Sequence, residues 1–362
     1  MKLVIFGLSI SSSWGNGHAT LWRGLYRALT QRGHVVRFFE RDMPWYAQAR
    51  DWHAEDDGLI LYSDWPSIRA RAQRELRDAD AAIVTSYCPD ALAARDLLLE
   101  SSRPMRVFYD LDTPVTLDHL QAQEPVPWLD ERGLRDYDLA LSYAGGPALD
   151  ALRDVLGAPR AAALYGHVDP LVHRPAPPKE HYRSGLCWIG TYAADRQPAL
   201  EELFVHVART RPRQRFAIAG AQYPPDFPWS ENVWFVRHLP PGEHASFLCS
   251  ARLVLNVTRA AMARMGWCPS GRLFEAAACG AAVLSDDWPG LSSFYTPGEE
   301  ILLARGTQDA LDALNLSDAE LKRIGAAARE RTLAEHTSQH RARELIALLE
   351  RAREVHAFAE AV

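Results

Sequence analysis

Arg272 and Glu275 stand three residues apart in Pro269-Ser270-Gly271-Arg272-Leu273-Phe274-Glu275-Ala276-Ala277-Ala278-Cys279-Gly280. In a helix that spacing puts both side chains on one face. Ser270 suits an N-cap, its oxygen accepting an otherwise unpaired backbone N–H. Gly280 suits the left-handed position that closes a helix. The pair therefore falls in the first turns, where backbone N–H groups, the helix dipole and a guanidinium together favour a phosphate. A carboxylate one turn further in can accept hydrogen bonds from vicinal ribose hydroxyls. Ser270, Arg272, Leu273 and Glu275 are thus candidates to hold a nucleotide. A capped helix with an intrahelical Arg–Glu pair accounts for the same residues without any ligand.

Further polar groups fall at the ends of strand-like runs. Trp14-Gly15-Asn16-Gly17-His18 follows the first of them. Gly15 and Gly17 allow backbone to approach an anion, and His18 in the first helical turn can act as general base or steady a phosphate. A dinucleotide fingerprint would instead use Glu40 on the ribose. It fits poorly, because the loop is long and Thr20 stands where the third glycine belongs. Tyr109-Asp110-Leu111-Asp112-Thr113-Pro114 offers Asp112 as an acceptor-side acid or base; as metal ligands these acids lack a third partner, and no metal is assigned. Gly190-Thr191-Tyr192 and Arg196 form a second anion-type loop, and Arg259 lies at another strand end. Arg196, Arg259 and Arg272 are expected to converge on one diphosphate, where planar bidentate donors are effective.

Strand-like and helical runs along the chain position these loops. Lys2–Phe6, Val35–Phe39, Ala81–Thr85, Arg106–Tyr109, Leu139–Ser142 and Ala161–Tyr165 read as strands. Helical periodicity lies between several of them: Gly17–Arg32, with Arg23 and Arg27 facing outward, then Ser67–Asp78, Ala91–Glu100 and Ala148–Leu156. Ser9–Asn16 reads as a flexible polar loop. After the proline-rich Pro170–Arg183 the alternation resumes, with strands at Leu186–Ile189, Arg215–Ala219, Val233–Val236, Leu253–Val257, Ala281–Ser285 and Ile301–Leu303. Ser317 and Glu320 make a capping box for a helix through Arg331. Repeated strand–helix–strand order means parallel sheets covered by helices. The fold expected is α/β: two tandem Rossmann-like domains facing across a cleft, with a C-terminal helical tail. The domains expected are 1–172, a linker at 173–184, 185–340, and a last helix over 341–362.

The composition fits this. At 362 residues two domains are likelier than one core, and 48% hydrophobic with 24% charged residues is ordinary for a soluble globular protein. A net charge of −6 argues against nucleic-acid binding. The five cysteines are odd in number, scattered and never in a CxxC pair, which speaks against both a disulfide framework and a structural zinc site. No signal peptide or membrane-length apolar run is present, so the cytoplasm is the expected location.

Taken together, Gly17-His18-Ala19-Thr20 with Glu40-Arg41-Asp42, Tyr109–Pro114, Val168-Asp169-Pro170, Gly190-Thr191-Tyr192 with Asp195-Arg196-Gln197, Leu255–Arg259, and Pro269–Gly280 followed by Ser285–Leu291 resemble the glycosyltransferases of the GT-B architecture. More narrowly, they resemble the CgeB-like spore-maturation family. The resemblance implies a nucleotide-sugar donor (UDP-, GDP- or dTDP-sugar) held mainly by the C-terminal domain. It implies a glycan, protein or small-molecule acceptor held mainly by the N-terminal one, and metal-independent transfer. Retaining relatives use two glutamates with seven residues between them. Glu275 matches the second, whereas the first falls on Trp267, which leaves the stereochemical outcome open. Competing expectations are a nucleotide-sugar epimerase of the same fold, an NAD-dependent oxidoreductase, and a non-catalytic sugar-nucleotide sensor.

Overall fold

In the computed structural model residues 1–360 are described, with side chains through Glu354. The final two residues of the expected tail lie outside the described residues. The chain divides into two compact units: Met1–Tyr165 together with the C-terminal helix from Gln339, and Gly166–Ser338.

The first unit is built on β1 (Lys2–Gly7), β2 (Val35–Arg41), β3 (Leu59–Tyr62), β4 (Ala81–Thr85), β5 (Met105–Asp110), β6 (Leu139–Ser142) and β7 (Ala161–Ala163). All pair parallel, in the order β3-β2-β1-β4-β5-β6-β7. Val4, Phe6, Val84 and Phe108 are fully buried, as sheet strands covered on both faces require. The short edge strand β3 and the helix Thr113–Gln121 go beyond the sequence expectation. Pro114 lies in that helix's first turn, where the missing N–H costs nothing, so the proline opens a helix and does not end one.

The second unit carries β8 (Ser184–Ile189), β9 (Phe216–Ala219), β10 (Val233–Val236), β11 (Ala251–Asn256), β12 (Val283–Asp286) and β13 (Leu302–Ala304), again all parallel, in the order β10-β9-β8-β11-β12-β13. Ser317 Oγ caps the helix Asp318–Glu335 by accepting from Glu320 N at 3.2 Å. The division between units falls at Tyr165–Gly166, ahead of the expected linker. The proline-rich stretch belongs to the second unit, where Lys179 donates from its backbone N to Ser250 Oγ (2.8 Å) and from Nζ to Glu243 (2.7 Å). The last helix belongs to the first unit: Arg160 donates to the Ala352 carbonyl at 2.9 Å, and Arg353 pairs with Asp80 at 3.2 Å.

Strand order reverses between β1 and β4 in one sheet and between β8 and β11 in the other. Loops leaving the carboxyl ends of strands at such a reversal are where open parallel sheets bind ligands. Most of the candidate residues lie on those loops.

Candidate functional site

In the first unit the loop after β1 is tied down. Glu40, fully buried, accepts from Ser9 Oγ (2.9 Å), Ile10 N (2.8 Å), Ser11 N (3.0 Å) and Ser11 Oγ (2.6 Å). Its oxygens are spent on the loop, so the alternative role on a ribose is excluded by geometry. Arg23 is buried as well, contrary to the outward placement expected; it donates to the Ile10 carbonyl at 2.8 Å and pairs with Asp51. The supposedly flexible Ser9–Asn16 segment is thus a braced one. Asn16 extends the bracing, donating to the Ser9 carbonyl (2.9 Å) and accepting from His18 N (3.1 Å).

That bracing sets His18 at the start of the helix His18–Gln31, with Nε2 3.6 Å from Asp112 Oδ1. The separation is too long for a hydrogen bond. Tyr87, which the sequence reasoning missed, completes the group. Its hydroxyl donates to Asp112 Oδ2 at 2.8 Å and its ring lies 5.9 Å from that of His18. Tyr87 follows β4 and is held at φ 65°, a conformation costly for a bulky residue and a signal visible only in three dimensions. Beneath them Asp110 is fully buried with Oδ2 unpartnered, and burial pushes its carboxyl up to about 6. Gly15 (φ 60°) and Gly17 are exposed, and nothing lies within 4 Å of where a Cβ at Gly17 would stand.

In the second unit the loop after β8 carries Gly190, Thr191 and Tyr192, all half-buried. The Arg196 guanidinium carbon lies 5.7 Å from the Trp188 ring centroid, and a Cβ on Gly190 would come within 3.3 Å of Arg196 Nη1. Arg259, at the end of β11, pairs with Asp195 at 3.2 Å, which draws the two arginine-bearing loops together. Asp286, its carboxyl pushed up to about 6 by burial, accepts from Thr258 N and Thr258 Oγ1 and fixes the residue before Arg259.

The helix Gly271–Ala278 forms as expected, and Gly280 closes it at φ 75°. Ser270 occupies the N-cap, but its side chain caps nothing. Its hydroxyl donates instead to Asn256 Oδ1 at 2.6 Å, anchoring the helix start to the end of β11. Leu273 is fully buried in the apolar core, which leaves only its backbone to offer a ligand. Arg272 and Glu275 pair directly, Arg272 with a side chain 19% exposed and Glu275 8% exposed. Two buried histidines stand beside them: one ligand atom each from His173, His244 and Glu275 lie within 4.8 Å of one another. Burial holds both imidazoles below the usual histidine range, that of His244 at about 3. Trp267, where an acid would complete the paired-glutamate pattern, sits at φ 45°, and a Cβ on Gly290 would meet its indole at 2.5 Å.

Residues 196–347 match the family described as glycosyl transferase-like. Over the whole chain the fold is similar to sucrose-phosphate synthase from Thermosynechococcus elongatus (14% identity, TM-score 0.70, 98% of this chain and 100% of that one). It is likewise similar to an alpha-glucosyltransferase in complex with UDP-glucose and DNA (12%, 0.71, 97% and 99%), and to HepE of Anabaena in complex with UDP and glucose (13%, 0.66, 97% and 99%). No curated protein matches by sequence. The two parallel sheets with flanking helices match the fold of these glycosyltransferase structures. Among the described residues no helix is long and apolar enough to cross a membrane.

Proposed function

We propose, from the premise that residues 196–347 form a glycosyl transferase-like domain, that the protein transfers a sugar from a nucleotide-sugar donor to a hydroxyl acceptor. The observation that carries the reading is the Arg272–Glu275 pair. Glu275 is nearly dry, Arg272 is partly buried, and the pair is mounted at the start of a helix anchored to the end of β11, inside the family-matched segment.

Glu275 is assigned the ribose hydroxyls. Arg272, Arg196 and Arg259, with the Gly190–Tyr192 backbone, are assigned the diphosphate, whose charge grows as it departs. In the first unit His18 is assigned the acceptor proton. Asp112 Oδ1 lies 3.6 Å from its Nε2. The bond from the anomeric carbon to the diphosphate oxygen breaks, a bond to the acceptor oxygen forms, and the acceptor's proton goes to His18. No step of this account calls on a metal ion. The narrower CgeB-like assignment rests on the sequence resemblance alone.

A structural relative was crystallised with UDP-glucose and DNA, so an oligonucleotide belongs in the acceptor panel, although a net charge of −6 favours glycan, protein or small-molecule acceptors. Calorimetry and turnover with UDP-, GDP- and dTDP-sugars test the proposal. One nucleoside diphosphate is expected to bind in the micromolar range, with sugar released to an acceptor. Absence of binding by all three sinks it, and an altered sugar nucleotide formed without acceptor identifies an epimerase instead.

A further inference from the structure

His173, His244 and Glu275 come from three separate segments of the second unit: the proline-rich stretch, the helix Pro241–Ser250 and the helix Gly271–Ala278. Each is more than nine-tenths buried. A buried imidazole nitrogen normally has a partner, because leaving it bare costs about 1–3 kcal/mol. Here two have none: His173 Nε2 and His244 Nδ1. The other nitrogen of His244, Nε2, lies 3.1 Å from the Leu239 carbonyl, which can only accept. That contact places the proton on Nε2 and leaves Nδ1 as a bare lone pair. A backbone carbonyl fixing the tautomer in this way is the usual outer support of a metal-bound histidine. His173 Nε2 stands 3.8 Å from Glu275 Oε1. That is too far for a hydrogen bond, and close to the separation of about 3.4 Å between two ligands on a tetrahedral zinc ion with bonds of about 2.0–2.1 Å.

We propose that His173, His244 and Glu275 bind one zinc-class divalent ion, with a fourth position left for water. Two neutral imidazoles and one carboxylate suit zinc or its transition-metal neighbours and not magnesium or calcium, which require oxygen ligands. Charge sharpens the choice. Arg272 already neutralises Glu275 through Oε2, so the added ion has to be one whose bonds to nitrogen outweigh burying net positive charge. The ion would staple the proline-rich stretch to the two helices and hold Glu275 by Oε1. It takes no part in the sugar-transfer steps above but shares Glu275 with the ribose assignment, so the titration below is run without nucleotide and its failure is distinguishable from that of the transferase reading.

Full-length protein, stripped by dialysis against a chelator, is titrated with zinc in competition with a chromogenic chelator. One equivalent per chain is expected, with no competition from magnesium or calcium. His173→Ala and His244→Ala should each weaken binding more than about 100-fold, beyond the 10–100-fold typical of outer-shell changes. His206→Ala, at an exposed histidine paired only with Glu202, should leave it unchanged. Because the alanine variants can fail to fold, cobalt added to the unaltered protein supplies a second reading. It should give the intense visible bands of a low-coordinate site, abolished by zinc. Substoichiometric zinc uptake by the unaltered protein, featureless cobalt spectra, or uptake unchanged in both folded variants overturns the proposal.

Discussion

The two units place their polar groups at equivalent points, at strand ends beside a reversal of strand order, yet treat them oppositely. In the first unit His18 and Asp112 have side chains 24% and 13% exposed and do not touch, with Tyr87 bridging from the side. In the second, Arg272 and Glu275 are locked together beside two imidazoles that are almost wholly dry. A group that must take up and release a proton needs room and water. A group that must hold a fixed charge gains from a low dielectric and a rigid seat. The shared sheet architecture decides where chemistry can happen, and the depth of the side chains decides which kind.

Substitutions on the two sides should therefore fail differently. His18→Ala is expected to lower turnover about 10²–10⁴-fold while nucleotide binding by calorimetry stays unchanged; a loss of binding instead would erase the contrast. Arg272→Ala should weaken nucleoside diphosphate binding about 10–100-fold and, by stranding the Glu275 carboxylate, lower stability by about 3–5 kcal/mol in chemical denaturation. The double change Arg272→Ala with Glu275→Gln should recover most of that stability but not the binding, which separates the two roles.

A third contrast is with pH. Asp110 has its carboxyl raised by burial to about 6 from an ordinary 3.8. The folded state then keeps a proton that the unfolded chain releases. This contribution is fully present below about pH 4 and is lost as pH rises through about 6, a cost of about 3 kcal/mol above that. Asp110→Asn should flatten that part of the melting temperature's dependence on pH, and an unchanged profile would mean that Asp110 is ionised when folded. The smallest effect belongs to Tyr87→Phe. Losing one hydrogen bond to Asp112 should cost about 1 kcal/mol, roughly a fivefold drop in turnover, with no change in donor affinity.

What could be read in advance followed from local rules. The helix after Ser270, its closure at Gly280, the cap at Ser317, and the parallel strands of the second unit all announce themselves through neighbours in sequence, whereas the Glu320 carboxylate expected to complete a box pairs with Arg323. Ser270 shows the limit of those rules: the residue type suits a cap, yet a better partner, Asn256, was available from another strand. In a one-dimensional pattern Arg23 reads as an outward charge and Glu40 as a ribose acid of a dinucleotide site; both are buried because the loop after β1 offers them enough partners. Tyr87, His173 and His244 carry no spacing signal at all, since the residues they face arrive from distant segments.

The return of the last helix to the first unit makes the second unit an insertion within the first. Gly166–Ser338 is one uninterrupted stretch whose ends meet side by side, Val168 N accepted by the His336 carbonyl at 3.0 Å and Ser338 N by that of Val168 at 2.8 Å. A fragment of that stretch would keep its own sheet and the bonds between its ends, whereas Met1–Tyr165 cut from its distant C-terminal piece would lose the partners of Arg160 and Asp80. A ribosome releases the guest complete before the host has its final element.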